Sequence, residues 1–258
     1  MPPEPRSRPA ERVPQPPTPQ DEWIDEGSVQ EPRRGGAGGA PARKRRSSAP
    51  RPEVVAPDLS RFVTSQRAKR LEGRVADAAR AYAAERYVDA RRILKPIADE
   101  VPDSPEVREL YGLTLYRLGK WRQAAKELTA FADLTGGSVE QHPVLEDCYR
   151  ALGRHGKVEE LWDELKAVSP SAELMSEGRI VMAGSLADRG ELHAAVALLS
   201  KGFKLPKRHA EHHLRRGYAL ADLYERAGDI PQARQIFDRI EELSPGYLDA
   251  AQRSAALG

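Results

Sequence analysis

The chain has 258 residues, with 41 basic and 39 acidic side chains that leave a net charge of +2, 40% hydrophobic and 31% charged residues. Its single cysteine, Cys148, excludes an internal disulfide framework and a multi-cysteine metal site, and fits a reducing compartment. No stretch approaches the ~18 apolar residues needed to span a bilayer, and the start lacks the apolar centre of a secretion signal, so membrane insertion is not expected and the cytoplasm is the expected location.

Residues 1–57 hold 13 of the 21 prolines and no periodic apolar pattern. Such a stretch buries too little apolar surface to offset chain entropy, so it is expected to be a disordered Pro/Gly/Arg-rich tail. Its charge is blocky: residues 1–32 carry three basic and seven acidic groups, and residues 33–57 carry seven and one. Two motifs stand out in it. Trp23 and Ile24, framed by Asp21, Glu22, Asp25 and Glu26, read as a short recognition motif, and Arg43-Lys44-Arg45-Arg46 before Ser47-Ser48 suits contact with acidic surfaces or nucleic acid.

From residue 58 onward 31 basic side chains balance 31 acidic ones, and a period appears. Tyr87-Val-Asp-Ala90, Trp121-Arg-Gln-Ala124 and His155-Gly-Lys-Val158 follow at steps of 34 residues, and Leu192-His-Ala-Ala195 and Ile230-Pro-Gln-Ala233 at steps of 37 and 38. A period in this range means a helical solenoid. Five units are expected, over about 71–104, 105–138, 139–172, 176–209 and 214–247, each with two amphipathic helices joined by a tight turn. In the second, Leu110, Tyr111, Leu115 and Leu118 mark the first helix and Gly119-Lys120 the turn. Ala124, Leu128 and Phe131 then mark a second helix stopped by Gly136-Gly137. Trp162, Phe237, Leu94, Leu128 and Leu199 share one position and should form the core stripe. Tyr247 to Leu257 reads as a closing helix over the last apolar face.

This pattern resembles the tetratricopeptide repeat family. The family's small residue at the helix crossing is matched by Gly112, Ala183 and Ala221. Its turn glycine is matched by Gly119, Gly153, Gly190 and Gly228, its second-helix alanine by Ala90, Ala124, Ala195 and Ala233, and its closing proline by Pro102, Pro170 and Pro245. The chain departs from the pattern at Glu85 in place of the turn glycine, at Asp77, at Glu146 where a small residue is usual, at Val158, at Gly202 and at Lys207. The segment Gly202–Arg208 is therefore expected to be an extended loop. The resemblance implies an all-α, right-handed solenoid of about five helix pairs with a C-terminal cap. The arginine-rich, alanine-rich composition is what a GC-rich genome favours and fits a bacterial source.

No phosphate-cradling glycine loop, nucleophile elbow or paired-cysteine motif is present, so no catalytic, cofactor or metal residue is assigned and an enzyme is not expected. His209 and His213 would share a helix face, but two imidazoles lack a third ligand, and Cys148 reads as a packed apolar residue. The repeat register places Tyr82, Glu109, Leu113, Tyr116, Asp147, Arg150, Tyr218, Asp222 and Glu225 on the face that a partner protein or peptide would contact. Some members of the family grip a chaperone's C-terminal carboxylate with lysine, asparagine and arginine, but here those positions hold Glu109, Leu113 and Val144. Between Lys201 and Arg216 stand Lys201, Lys204, Lys207, Arg208, Arg215 and Arg216 against the single Glu211, a candidate anion site. The expected function is a non-catalytic scaffold for a protein or peptide. The alternative is an adaptor that engages nucleic acid or another polyanion through the basic tail and this patch.

Overall fold

The computed structural model describes residues 57–258, and within them the chain forms eleven α-helices and no strand. Trp23, Ile24 and the Arg43–Arg46 run lie outside the described residues.

The first helix, α1 (Ser65–Ala83), buries Ala68, Leu71, Val75, Ala78 and Ala81, a spacing of three and four that places all five on one face. A turn ahead of it tucks Leu59 fully into the core, its N–H held by the Glu72 carboxylate at 3.0 Å. α2 (Tyr87–Glu100) returns antiparallel with Ala90, Leu94 and Ile97 buried. The same hairpin then recurs as α3 (Pro105–Arg117) with α4 (Trp121–Leu134), α5 (His142–Ala151) with α6 (His155–Val168), α7 (Ala172–Asp188) with α8 (Leu192–Ser200), and α9 (Glu211–Arg226) with α10 (Ile230–Leu243). α11 (Ala250–Ala256) follows.

The registered positions fall where the period puts them. Ala90, Ala124, Val158, Ala195 and Ala233 are all fully buried in the second helix of each pair, and Leu94, Leu128, Trp162, Leu199 and Phe237 are buried one turn further on. At the crossing within the second pair, a Cβ on Gly112 would stand 2.7 Å from Leu128 Cδ2, closer than packed atoms approach. The turns need a left-handed residue, which glycine adopts without a Cβ clash. Gly119, Gly153, Gly190 and Gly228 have φ between 65° and 82°, and Glu85 adopts φ 57° at the same place in the first pair.

First helices pack on one another along the chain, α1 on α3, α3 on α5, α5 on α7 and α7 on α9, whereas each second helix packs on its own first helix and the next one. The first helices therefore make the inner, more closely spaced layer of the solenoid. The second helices are spread along the outside.

Three local features differ from the simple repeat. α8 has 9 residues where the other second helices have 14, because the chain turns at Gly202 (φ 67°) into the extended segment read from the sequence. That segment sends Phe203 and Leu205 back against the core. Glu146 at the third crossing is fully buried and is accommodated by Gly178 of α7, where a Cβ would lie 3.3 Å from Glu146 Oε1 and 2.3 Å from Leu165 Cδ2. The closing helix is shorter than its apolar pattern suggests. Positive φ at Gly246 and Leu248 breaks the backbone, and helix begins only at Ala250, leaving Tyr247 in the connecting loop.

Candidate functional site

The inner face is built by the first helices, and most of its polar side chains hold one another across successive pairs. On α1, Tyr82 is half-buried and meets the Tyr87 ring edge-on at 5.4 Å. On α3, Glu109 accepts a hydrogen bond from Gln141 Nε2 at 2.8 Å. Burial raises its pKa, and the neighbouring carboxylates Glu140 and Glu106 add to the rise. Leu113 is half-buried beside the core, and the Tyr116 hydroxyl donates to Asp147 at 2.8 Å. Arg150 spans α5 and α7, reaching Asp147 at 3.4 Å and Asp188 at 2.6 Å. Its guanidinium lies flat over Gly184, where a Cβ would sit 2.8 Å from Arg150 Cζ.

Tyr116, Asp147 and Arg150 thus join one network with Asp188. Tyr218, Asp222 and Glu225 form a second, but they are not an open lining. Arg253 of α11 contacts Asp222 at 2.9 Å and Glu225 at 2.6 Å, donates to the Tyr218 hydroxyl at 3.2 Å and lies 4.7 Å from the Phe237 ring centre. Asp249 also accepts from Tyr218. The cap helix therefore covers the end of the inner face where Tyr218, Asp222 and Glu225 lie.

The six basic groups from Lys201 to Arg216 do not form one patch. Arg215 pairs with Glu177 at 2.7 Å. Arg216 turns inward and donates to the Leu199 and Lys201 carbonyls that end α8. Lys201, Lys204, Lys207 and Arg208 are exposed and make no ion pair among the described residues. His209 precedes α9 in the loop, so the helix face it was expected to share with His213 does not form. His213 stacks instead on His212, ring centres 4.0 Å apart.

Other groups with chemical potential are enclosed. Cys148 is buried and its thiol is pushed up to about 12 by the loss of solvation. His155 Nδ1 lies 2.8 Å from Ser185 Oγ, and Ser185 is fully buried. Glu146 has no hydrogen-bond partner on either oxygen, and burial, with a contribution from Asp147, pushes its pKa up to about 9. No described helix is long and apolar enough to cross a membrane.

Solved structures with the same arrangement are repeat proteins. A thermophilic TPR protein of Thermus thermophilus is 22% identical, with a TM-score of 0.56 over 72% of this chain and 98% of its own. The fold is a tetratricopeptide repeat. A putative kinesin light chain of Podosopora anserina with nearly identical TPR-like repeats is 17% identical, TM-score 0.54, over 72% of this chain and 97% of its own. Residues 41 to the end of MamA from Desulfovibrio magneticus RS-1 are 15% identical, TM-score 0.53, over 67% and 94%. No protein-family model and no curated protein matches the chain.

Within this tetratricopeptide-repeat fold the sequence reading missed Gly178, Arg179, Gly184, Asp188 and Arg253. A signal was present for the glycines. Both lie inside the apolar pattern of α7, and a glycine in a helix interior marks a close approach. For Arg179, Asp188 and Arg253 the pairing depends on how neighbouring helices stack, which spacing alone does not specify.

Proposed function

We propose that the protein is a non-catalytic scaffold that holds a protein or peptide against the inner face of α1, α3 and α5. The observation that carries this reading is the juxtaposition of the half-buried Leu113 and Tyr116 with the carboxylates Glu106, Glu109 and Glu140, none of them ion-paired among the described residues; burial, and after it the charges of Glu140 and Glu106, raises the pKa of Glu109. An apolar anchor ringed by like charges suits a segment with an apolar side chain flanked by basic ones. A catalytic reading finds less support: the histidine nearest a hydroxyl pairs with an inaccessible serine, and the thiol is buried.

The test is a capture experiment with the full chain, comparing the unaltered protein with Leu113→Arg and with Val88→Arg, which alters an exposed position on the outer helix α2. Partners held by the unaltered protein and by Val88→Arg should be lost from Leu113→Arg. The reading fails if Leu113→Arg keeps them. Their loss from Lys204→Glu and Lys207→Glu, with affinity falling steeply with salt, would indicate the polyanion alternative.

A further inference from the structure

We propose that the pocket between α7, the loop after α8 and the start of α9 binds a phosphate monoester or phosphate dianion. This inference does not depend on the inner face being a docking surface.

The pocket encloses about 380 Å³ and is lined by Arg179, Lys204, Arg216, His212, His213 and Ser176, with no carboxylate in its wall. Two guanidiniums meet there. Each is held by backbone at the C-terminus of α8, Arg216 through Nε and Nη2 to Leu199 O at 3.0 and 2.6 Å and through Nη2 to Lys201 O at 2.6 Å, and Arg179 through Nη1 to Lys201 O at 3.2 Å. These bonds fix both groups, yet they leave the Nη1 hydrogens of Arg216 and most of the Arg179 fork without an acceptor among the described residues. Arg179 is further held over the Trp162 ring at 5.9 Å and Arg216 over Phe203 at 5.7 Å.

The site is short of negative charge. Burial, and then the charge of Arg179, lowers the Arg216 pKa to about 10, which means that no anion compensates this guanidinium. The nearest carboxylates lie outside the pocket: Glu177 pairs with Arg215, and the exposed Glu173 lies 3.5 Å from His212 Nδ1 without a hydrogen bond. His212 Nδ1 is thus a buried polar atom with no bonded partner. His213 Nδ1 accepts the Ala210 N–H at 3.1 Å, which leaves the neutral ring its proton on Nε2 as a further donor. Ala210 has no side-chain acceptor for the first-turn N–H groups of α9, so the positive end of the helix dipole adds to the field.

The number of donors selects the ligand. Arg179, Arg216, Lys204 and the imidazoles approach from three chain segments, which exceeds what the two oxygens of a carboxylate accept. A phosphoryl group offers three strong acceptor oxygens and a charge of about −1.5 to −2. A phosphodiester in a nucleic-acid backbone has only two free oxygens and a single charge, and matches the pocket less well.

The experiment is a calorimetric titration of the full chain at low salt with inorganic phosphate, with O-phosphoserine and with a single-stranded oligonucleotide, repeated for Lys204→Glu and Lys207→Glu. Both substitutions reverse one exposed charge in the same loop, but only Lys204 lines the pocket. Saturable binding of phosphate or phosphoserine is expected, weakened about tenfold by Lys204→Glu and by no more than about twofold by Lys207→Glu. Preference for phosphoserine over the free ion assigns the site to a modified partner, and the reverse order assigns it to the free anion. No saturation by about 10 mM of either probe, equal effects of the two substitutions, or tighter binding of the oligonucleotide than of both phosphates would overturn the proposal.

Discussion

Replacing Glu146 by glutamine should make the stability of this protein depend less on pH, in a predictable direction. Glu146 occupies the crossing of α5 with α6, where the second, fourth and fifth pairs place Gly112, Ala183 and Ala221, and it is fully buried with neither oxygen hydrogen-bonded. Its carboxyl, ordinarily near 4.5, is pushed up to about 9 by loss of solvation. In the folded protein it therefore keeps its proton at neutral pH, whereas in the unfolded chain it releases it. A raised folded pKa gives its full stability below the unfolded value and loses it as pH rises through the folded one. Each unit of separation corresponds to about 1.4 kcal/mol, so ionising Glu146 on unfolding favours the unfolded state by about 3 kcal/mol at pH 7 and by about 6 kcal/mol at pH 9. Glutamine keeps the shape and does not titrate, so any constant cost of its own unpaired amide cancels from the slope. Urea denaturation of both proteins at a series of pH values should give a difference that moves in favour of Glu146→Gln by about 1.4 kcal/mol per pH unit between about 5 and 9. A difference that stays flat across that window would falsify the buried, uncompensated carboxyl.

Two further outcomes follow from the turns and the cap. Glu85→Gly should raise stability by up to about 1 kcal/mol, since φ 57° strains a residue with a Cβ by about 1–2 kcal/mol and the greater freedom of glycine in the unfolded chain returns part of it; a fall in melting temperature would contradict this account. Arg253→Ala should cost about 1–3 kcal/mol by leaving Asp222, Glu225 and the Tyr218 hydroxyl without their shared donor. It should also speed proteolysis after α10, and unchanged cleavage there would mean that α11 is held by its apolar contacts alone.

The sequence by itself determined the helix pairs, their turns and the buried stripe, because these follow from spacings of three, four and 34 residues and from the few residue types that fit a crossing or a left-handed turn. Gly112, Ala124, Leu128 and Gly119 each occupy the place that local geometry demands of them. The loop at Gly202 was legible for the same reason. The tertiary structure decided which polar side chains meet. Arg253 lies far along the chain from Tyr218 yet closes on it, Arg150 bridges to Asp188 over Gly184, and Arg216 leaves the expected basic surface to hold the end of α8. Such pairings depend on the offset and rotation of one helix pair against the next. A charged side chain several bonds long can reach partners on any of several neighbouring helices, and only the stacked fold selects among them.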